Sequence, residues 1–238
     1  DGTISIDDNI KLNNYTVNFE SSDRAEYILE GSNGKIKNVE YGGNCKFKVR
    51  AKTGYKLGEN IAVNCVGASG SESLTGKKVS GSGNDTVYEY EIGNITENKT
   101  ISVSGVEDLF YNIKLQDVEG VTYINDTGSV ISGTHKIAYG KNFEFSVNVD
   151  DAYDDSIPGM FIIVNEGKSM GVSAQKLSSG KYVIPNITQD ITVRVGNIRK
   201  NRYTVTFTKT EGIDYYDTNG KIITGDTEVE QNDSISFK

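Results

Sequence analysis

Apolar side chains recur at every second position along most of this chain. Tyr15, Val17 and Phe19 alternate with Thr16 and Asn18, and Cys45, Phe47, Val49 and Ala51 alternate with Lys46, Lys48 and Arg50. The same period runs through Tyr88, Tyr90 and Ile92, then Ile101 and Val103. It returns in Phe143, Phe145, Val147 and Val149, in Tyr182 and Ile184, and in Ile191, Val193 and Val195. Period two predicts strands with one face buried, because successive side chains of a strand point to opposite sides. Turn formers lie between these runs: Gly31-Ser-Asn-Gly34, Thr53-Gly54, Gly67-Ala-Ser-Gly70, Ser80-Gly-Ser-Gly83 and Ser178-Ser-Gly180. No run of helical period competes with them. Six to eight short strands per domain, punctuated by turns, predict an all-β protein of sandwich type.

The pattern also repeats at long range. Tyr15-Thr-Val-Asn-Phe19 returns as Tyr111-Asn-Ile-Lys-Leu115 and as Tyr203-Thr-Val-Thr-Phe207, at offsets of 111 − 15 = 96 and 203 − 111 = 92. Gly34 is answered by Gly128 and Gly220, Tyr41-Gly42 by Tyr139-Gly140, and Gly93-Asn-Ile-Thr96 by Pro185-Asn-Ile-Thr188. Val63-Asn64 matches Val164-Asn165, which places Cys65 opposite Glu166. Solenoid units are about 20–50 residues, so this period is one whole domain. The reading divides the chain into residues 1–14, the closing strand and linker of a preceding repeat; 15–107, repeat 1; 108–199, repeat 2; and 200–238, the opening half of repeat 3. The division makes the chain a cut from a longer array.

Within it, Gly105–Phe110 and Gly196–Arg202 are short linkers. Phe47, Val49, Ile92, Ile101 and Val103 form one core, matched by Phe145, Val147, Ile184, Ile191 and Val193 in the other. A periodic string can also be cut so that Thr3–Ile6 opens repeat 1. Pairing of Tyr15–Phe19 in one sandwich with Ile101–Val103 selects the first cut. The opening half-repeat is expected to pair with a strand of another molecule, to pack on repeat 2, or to be poorly ordered.

Composition narrows the function classes. The net charge of −8 argues against nucleic acid, which demands a basic face. No apolar run reaches the ~20 residues of a membrane span, and no charged-then-apolar leader opens the chain. With 26 Gly, 14 Tyr and 2 Pro, the chain has the makeup of a turn-rich β-protein. Its Asn, Lys, Ile and Asp usage resembles that of an AT-rich Gram-positive bacterium.

Few residues invite chemistry. Cys45 and Cys65, the two cysteines, are read as neighbouring-strand residues that form either a disulfide or a pair of buried thiols. His135, the single histidine, sits in Ser132-Gly-Thr-His135 and reads as an exposed loop residue. Asp150, Asp151, Asp154 and Asp155 cluster, yet their spacing is not that of an EF-hand, so the reading is a solvated acidic loop without a metal. No cofactor and no catalytic residue is expected. Asn94-Ile-Thr96 and Asn186-Ile-Thr188 read as a turn entering the last strand, since Asn tolerates left-handed backbone. Tyrosines at repeat positions read as core or rim rather than as sugar-stacking platforms.

Tyr203-Thr-Val-Thr-Phe207, Tyr139-Gly140, Phe143-Glu-Phe145-Ser-Val147 and Gly180-Lys-Tyr182 with Asn186-Ile-Thr188 and Ile191-Thr-Val193 resemble a known family. They are similar to the tandem immunoglobulin-like β-sandwich repeats of Firmicutes surface proteins and secreted multidomain enzymes. The resemblance implies tandem Ig-like domains and an extracellular or cell-surface location, and it carries no catalytic residues. Lys–Asn isopeptide links occur in such beads, but Lys46 and Lys48 point away from the Phe47 face. The function expected is a non-enzymatic stalk whose partners are neighbouring repeats of its own chain. The alternatives are an adhesin-type module for glycans or a host protein, or accessory domains of a secreted glycoside hydrolase.

Overall fold

The alternating runs become strands. The computed structural model describes residues 12–31, 35–154, 161–165 and 174–238, and the chain divides into two compact units, residues 1–110 and 111–238. Among the described residues there is no α-helix, only a short 3-10 turn at Gly83–Asp85. Among these residues no helix is long and apolar enough to cross a membrane.

Among its described residues unit 1 holds nine strands: β1 (Asn14–Phe19), β2 (Ala25–Ile28), β3 (Ile36–Glu40), β4 (Gly43–Ala51), β5 (Tyr55–Gly67), β6 (Gly70–Leu74), β7 (Lys77–Ser80), β8 (Val87–Ile95) and β9 (Lys99–Asp108). They form two sheets, ordered β3-β1-β9-β5-β6 and β2-β4-β8-β7. Val17, Phe19, Val63, Cys65 and Ile101 of the first sheet share one core with Cys45, Phe47, Val49, Tyr90 and Ile92 of the second. That is a sandwich-like arrangement: two half-apolar sheets hide their apolar faces against each other. The strand total exceeds the expected six to eight because β6 and β7 extend the edges. Their sequence is almost wholly exposed and carries no hydrophobic alternation to announce it.

Unit 2 contains β10 (Phe110–Leu115, whose first residue closes unit 1), β11 (Val121–Ile124), β12 (Val130–Ile131), β13 (Gly133–Ala138), β14 (Phe143–Val149) and β15 (Tyr153–Asp154). Then follow β16 (Phe161–Val164), β17 (Gln175–Lys176), β18 (Tyr182–Ile184), β19 (Ile191–Gly196), β20 (Arg199–Lys200), β21 (Arg202–Val205) and β22 (Thr227–Glu230). Its main sheets run β13-β10-β19-β16 and β12-β11-β14-β18-β17. Four strands of each sheet match unit 1 in order, β13-β10-β19-β16 answering β3-β1-β9-β5 and β11-β14-β18-β17 answering β2-β4-β8-β7, while among the described residues β6 and β12 have no counterparts. In each unit the first and last strands lie parallel. Val17, Asn18 and Phe19 face Lys99, Thr100 and Ile101, as Ile113, Lys114 and Leu115 face Ile191, Thr192 and Val193. Tyr15–Phe19 thus shares a sheet with Ile101–Val103; Thr3–Ile6 lies outside the described residues, as does Gly34.

These registers shift part of the expected equivalence. Ile101 pairs where Val193 pairs, so its counterpart is Val193 and not Ile191, while Val103 answers to Val195. Cys65 faces Ile101 and Val164 faces Val193, so Cys65 answers to Val164 and not to Glu166. A short dipeptide match had outweighed the hydrogen-bond ladder, which alone fixes register.

Burial follows the expected faces with two exceptions. Phe47, Val49, Ile92 and Ile101 are buried, and so are Phe145, Ile184, Ile191 and Val193. Val103 and Val147 are only half-buried. Burial fades along both strands because each outruns the core: Ile101 is covered and Val103 less so, Phe145 is covered and Val147 less so.

The expected linkers are largely strand. β9 runs on to Asp108, where Val106, Glu107 and Asp108 pair with Leu57, Lys56 and Tyr55. Leu109 alone separates β9 from β10 along the chain, and its N–H donates to Gly54 O at 2.9 Å. In the second stretch Arg199 and Lys200 pair with Asp154 and Tyr153, and Asn201 N donates to Ala152 O at 2.8 Å. Beyond it β21 pairs antiparallel with β22. Tyr216 and Lys238 exchange both backbone hydrogen bonds, at 2.8 and 3.0 Å.

Candidate functional site

Each sequence candidate can now be placed. Cys45 lies on β4 and Cys65 on β5, strands of opposite sheets and not hydrogen-bonded neighbours. Both are free thiols in this structure, exposed by 0% and 1%. Burial pushes the Cys45 thiol pKa up, opposed weakly by the Lys37 ammonium. Burial likewise raises that of Cys65, against the pull of Lys99. A thiol reacts as its thiolate, so both are poor nucleophiles here.

His135 is not on an exposed loop. It lies on β13, half-buried, with its ring 5.7 Å from that of Phe143. Its Nε2 is buried without a hydrogen-bond partner. The Ser-Gly-Thr approach suggested a turn, but β13 starts at Gly133 and carries the ring onto Phe143. Of the acidic loop, Asp155 lies outside the described residues. Asp150 is spent on its own turn: its Oδ1 accepts the Ala152 N–H at 2.8 Å. Asp151 O accepts from Asn201 Nδ2 at 2.7 Å, binding the loop to the chain after β20. Among the described residues no group of three His, Cys, Asp or Glu could hold a metal ion.

The Asn-Ile-Thr turns have the backbone expected of them. Asn94 and Asn186 both have φ of 50°. Each N–H is taken by a second asparagine side chain, Asn44 Oδ1 at 3.2 Å and Asn142 Oδ1 at 3.1 Å.

One polar cluster has no equivalent in the sequence reading. At the head of β9, Lys99 Nζ donates to Glu97 Oε1 at 2.7 Å. The Ser69 hydroxyl donates to the same carboxylate, and Ser69 N–H to its Oε2 at 3.1 Å. Gly67 makes room, since a Cβ there would collide with both charged ends. These donors hold the Glu97 carboxyl down to about 2. The pair is well shielded, at 15% and 21% exposure, whereas the other ion pairs of unit 1 are far more open and contribute little. The signal available in the sequence was a break in the repeat: Glu97 and Lys99 stand where the second unit has Gln189 and Ile191.

An open groove of about 1140 Å³ lies within unit 2, where β15, β20 and β21 meet. Glu119, Tyr153, Arg199, Lys200, Arg202 and Glu230 line it. Several of its charges are engaged in ion pairs. Arg202 reaches Glu230 at 3.1 Å and Glu228 at 3.3 Å, and Lys200 lies 3.6 Å from Glu119. The Tyr153 hydroxyl hydrogen-bonds Glu119, which pushes the phenol up to about 12. No nucleophile–base pair and no carboxylate pair facing across a gap emerges from these contacts.

No known protein family matches this chain, and neither a curated protein nor a solved structure is similar to it.

Proposed function

We propose that this chain is a run of tandem immunoglobulin-like β-sandwiches serving as a non-enzymatic stalk in an extracellular or cell-surface bacterial protein. The observation that supports it is the parallel pairing of first and last strand in each unit, β1 with β9 and β10 with β19. When such a unit is pulled by its two ends, its outermost strands slide lengthwise past each other. All the hydrogen bonds of the pair then resist together, whereas an antiparallel terminal hairpin would peel one bond at a time. The single residue between β9 and β10 leaves little slack for tension to take up.

Single-molecule pulling on the whole chain tests this. Two resolved unfolding events of high force are expected, lowered in unit 1 by Asn18→Pro, which removes a donor from β1. Unfolding at the low forces of a peeled hairpin would rule the stalk out.

The groove favours a second reading, binding of a glycan: it joins Tyr153 and the exposed Tyr203 to acids and arginines. A glycan array probed with the whole chain decides it. Binding lost on Tyr203→Ala would support this reading, and a blank array would reject it.

A further inference from the structure

The two outer faces of unit 1 are unlike. On the β2-β4-β8-β7 sheet the outward side chains carry charge: Lys46 pairs with Glu91 at 3.4 Å, and Arg50 with Glu26. On the β3-β1-β9-β5-β6 sheet the positions alternating with buried Val17, Cys65 and Ile101 are Thr16, Asn18, Asn64, Thr100 and Ser102. β3 adds Ile36 and Asn38, and β6 adds Ser71 and Ser73. All are uncharged; the acids of this side, Glu20 and Glu40, stand at strand ends. Among the described residues none of these hydroxyl and amide side chains has a hydrogen-bond partner, so their donors and acceptors are open to a ligand.

The registers join one row across all five strands. Ile36 lies opposite Asn18, Asn18 opposite Thr100, Thr100 opposite Val66, and Val66 opposite Ser71. Ile36 and Val66 are 51% and 46% exposed, so the row offers apolar as well as hydrogen-bonding groups. Neighbours along it are about 4.8 Å apart, close to the length of one pyranose residue. The fold does not impose this neutrality. In unit 2 Lys114 and Arg194 occupy the places of Asn18 and Ser102.

We propose that this face binds an extended neutral polysaccharide, laid across the strands along that row. Charged side chains hold their water strongly, whereas hydroxyls and amides exchange it for sugar hydroxyls at little net cost. Ile36 and Val66 meet the C–H faces of the rings. A second copy of the chain fits the face less well. Five strands at about 4.8 Å, with three outward positions each at roughly 7 Å, make a face of about 500 Å². Two copies pressed together would bury about 1,000 Å² in all, short of the ~1,200–2,000 Å² of a specific pair. A polymer offsets weak single contacts by presenting the same hydroxyls repeatedly. The face belongs to unit 1 and is separate from the groove of unit 2.

Depletion of the whole chain from solution by pelleted microcrystalline cellulose and chitin tests the proposal. Retention on at least one polymer is expected, and it should not fall as salt is raised. Asn18→Lys/Ser102→Arg should weaken it by about tenfold or more, because the new charges must be desolvated against a neutral ligand. Both substitutions copy unit 2, so thermal melts of that variant should match the parent. Ser71→Lys, on the exposed edge strand β6, gives an independent second variant. No retention on either polymer would overturn the proposal, as would retention that salt removes or that both variants keep in full. Retention lost instead in Tyr203→Ala would give the ligand to the groove of unit 2. A dimer dispersed by Asn18→Lys/Ser102→Arg would assign the face to a second copy, and either result overturns the proposal. Failure here would leave the stalk reading standing, since that rests on strand pairing inside each unit and is judged by pulling.

Discussion

The two units share a strand order and fill it with different side chains. In unit 1 the core is Phe19, Cys45, Phe47, Cys65 and Tyr90; at the matching positions unit 2 has Leu115, Phe143, Phe145, Val164 and Tyr182. Of these five positions only the central stack is kept: Phe47 lies 5.5 Å from Tyr90, and Phe145 lies 5.9 Å from Tyr182. Around it, volume is exchanged. Unit 2 gives up a ring at Leu115 and gains one at Phe143, which meets Phe145 at 5.6 Å and His135 at 5.7 Å. Interiors tolerate such exchange when total volume and patterning are conserved. The difference teaches that the architecture depends on the stack and the alternation, while the cysteines and the histidine are fillers of one end of each sandwich.

The largest test removes the stack. Phe47→Ala and Phe145→Ala should each destabilise their own unit by about 3–5 kcal/mol. Denaturant melts followed by residue-resolved exchange should show the other unit unaffected. Comparable loss in both units from a single substitution would show that they do not fold independently.

The exchange of volume is the next target. Cys45→Phe forces the ring of unit 2 into unit 1 beside Phe19 and should cost about 1–3 kcal/mol by overpacking. Adding Phe19→Leu should recover a substantial part of that loss, because the pair then copies Leu115 and Phe143. Two losses that simply add would mean the positions do not share a cavity.

A smaller effect is expected at the asparagine turns. Left-handed backbone costs a residue with a Cβ about 1–2 kcal/mol, a cost that Asn tolerates better than most. Asn94→Ala and Asn186→Ala should therefore each lose about 1 kcal/mol, and Asn94→Gly close to none. Equal losses for Ala and Gly would assign the turn to the side-chain amide and not to φ.

The finest distinction is in acid. Glu97 has its carboxyl held from 4.5 down to about 2 by Lys99 and Ser69, and unit 2 has Gln189 there. A depressed folded-state pKa gives stability that is fully present above the unfolded value and disappears as pH falls through the folded one. Unit 1 should lose this small contribution between about pH 4.5 and 2, and the Glu97→Gln variant should lack that step. A carboxyl carbon titration by NMR with its midpoint near 4.5 would refute the pairing.

Much of the fold was legible because alternation and turn chemistry are local. Phe47, Phe145, Ile92 and Ile184 were identifiable as core, and Asn94 and Asn186 as left-handed turns, from a few neighbouring residues each. His135 was misplaced because Ser-Gly-Thr resembles a turn until β13 is paired. Val103 and Val147 were overcounted because alternation cannot report where a strand outruns its core. The Glu97–Lys99–Ser69 cluster was missed because Ser69 and Gly67 meet it only across paired strands.

The sequence by itself determined that the chain is essentially all-β among the described residues, and which face of the alternating strands is apolar. These follow from side-chain alternation and backbone preference, which act over a few bonds. Only the tertiary structure decided that Cys65 answers to Val164, that Cys45 and Cys65 stand on opposite sheets, and that first and last strands run parallel. Each of these depends on hydrogen-bond register or coverage between segments tens of residues apart, and a strand can slide along its partner without changing one letter of its own pattern.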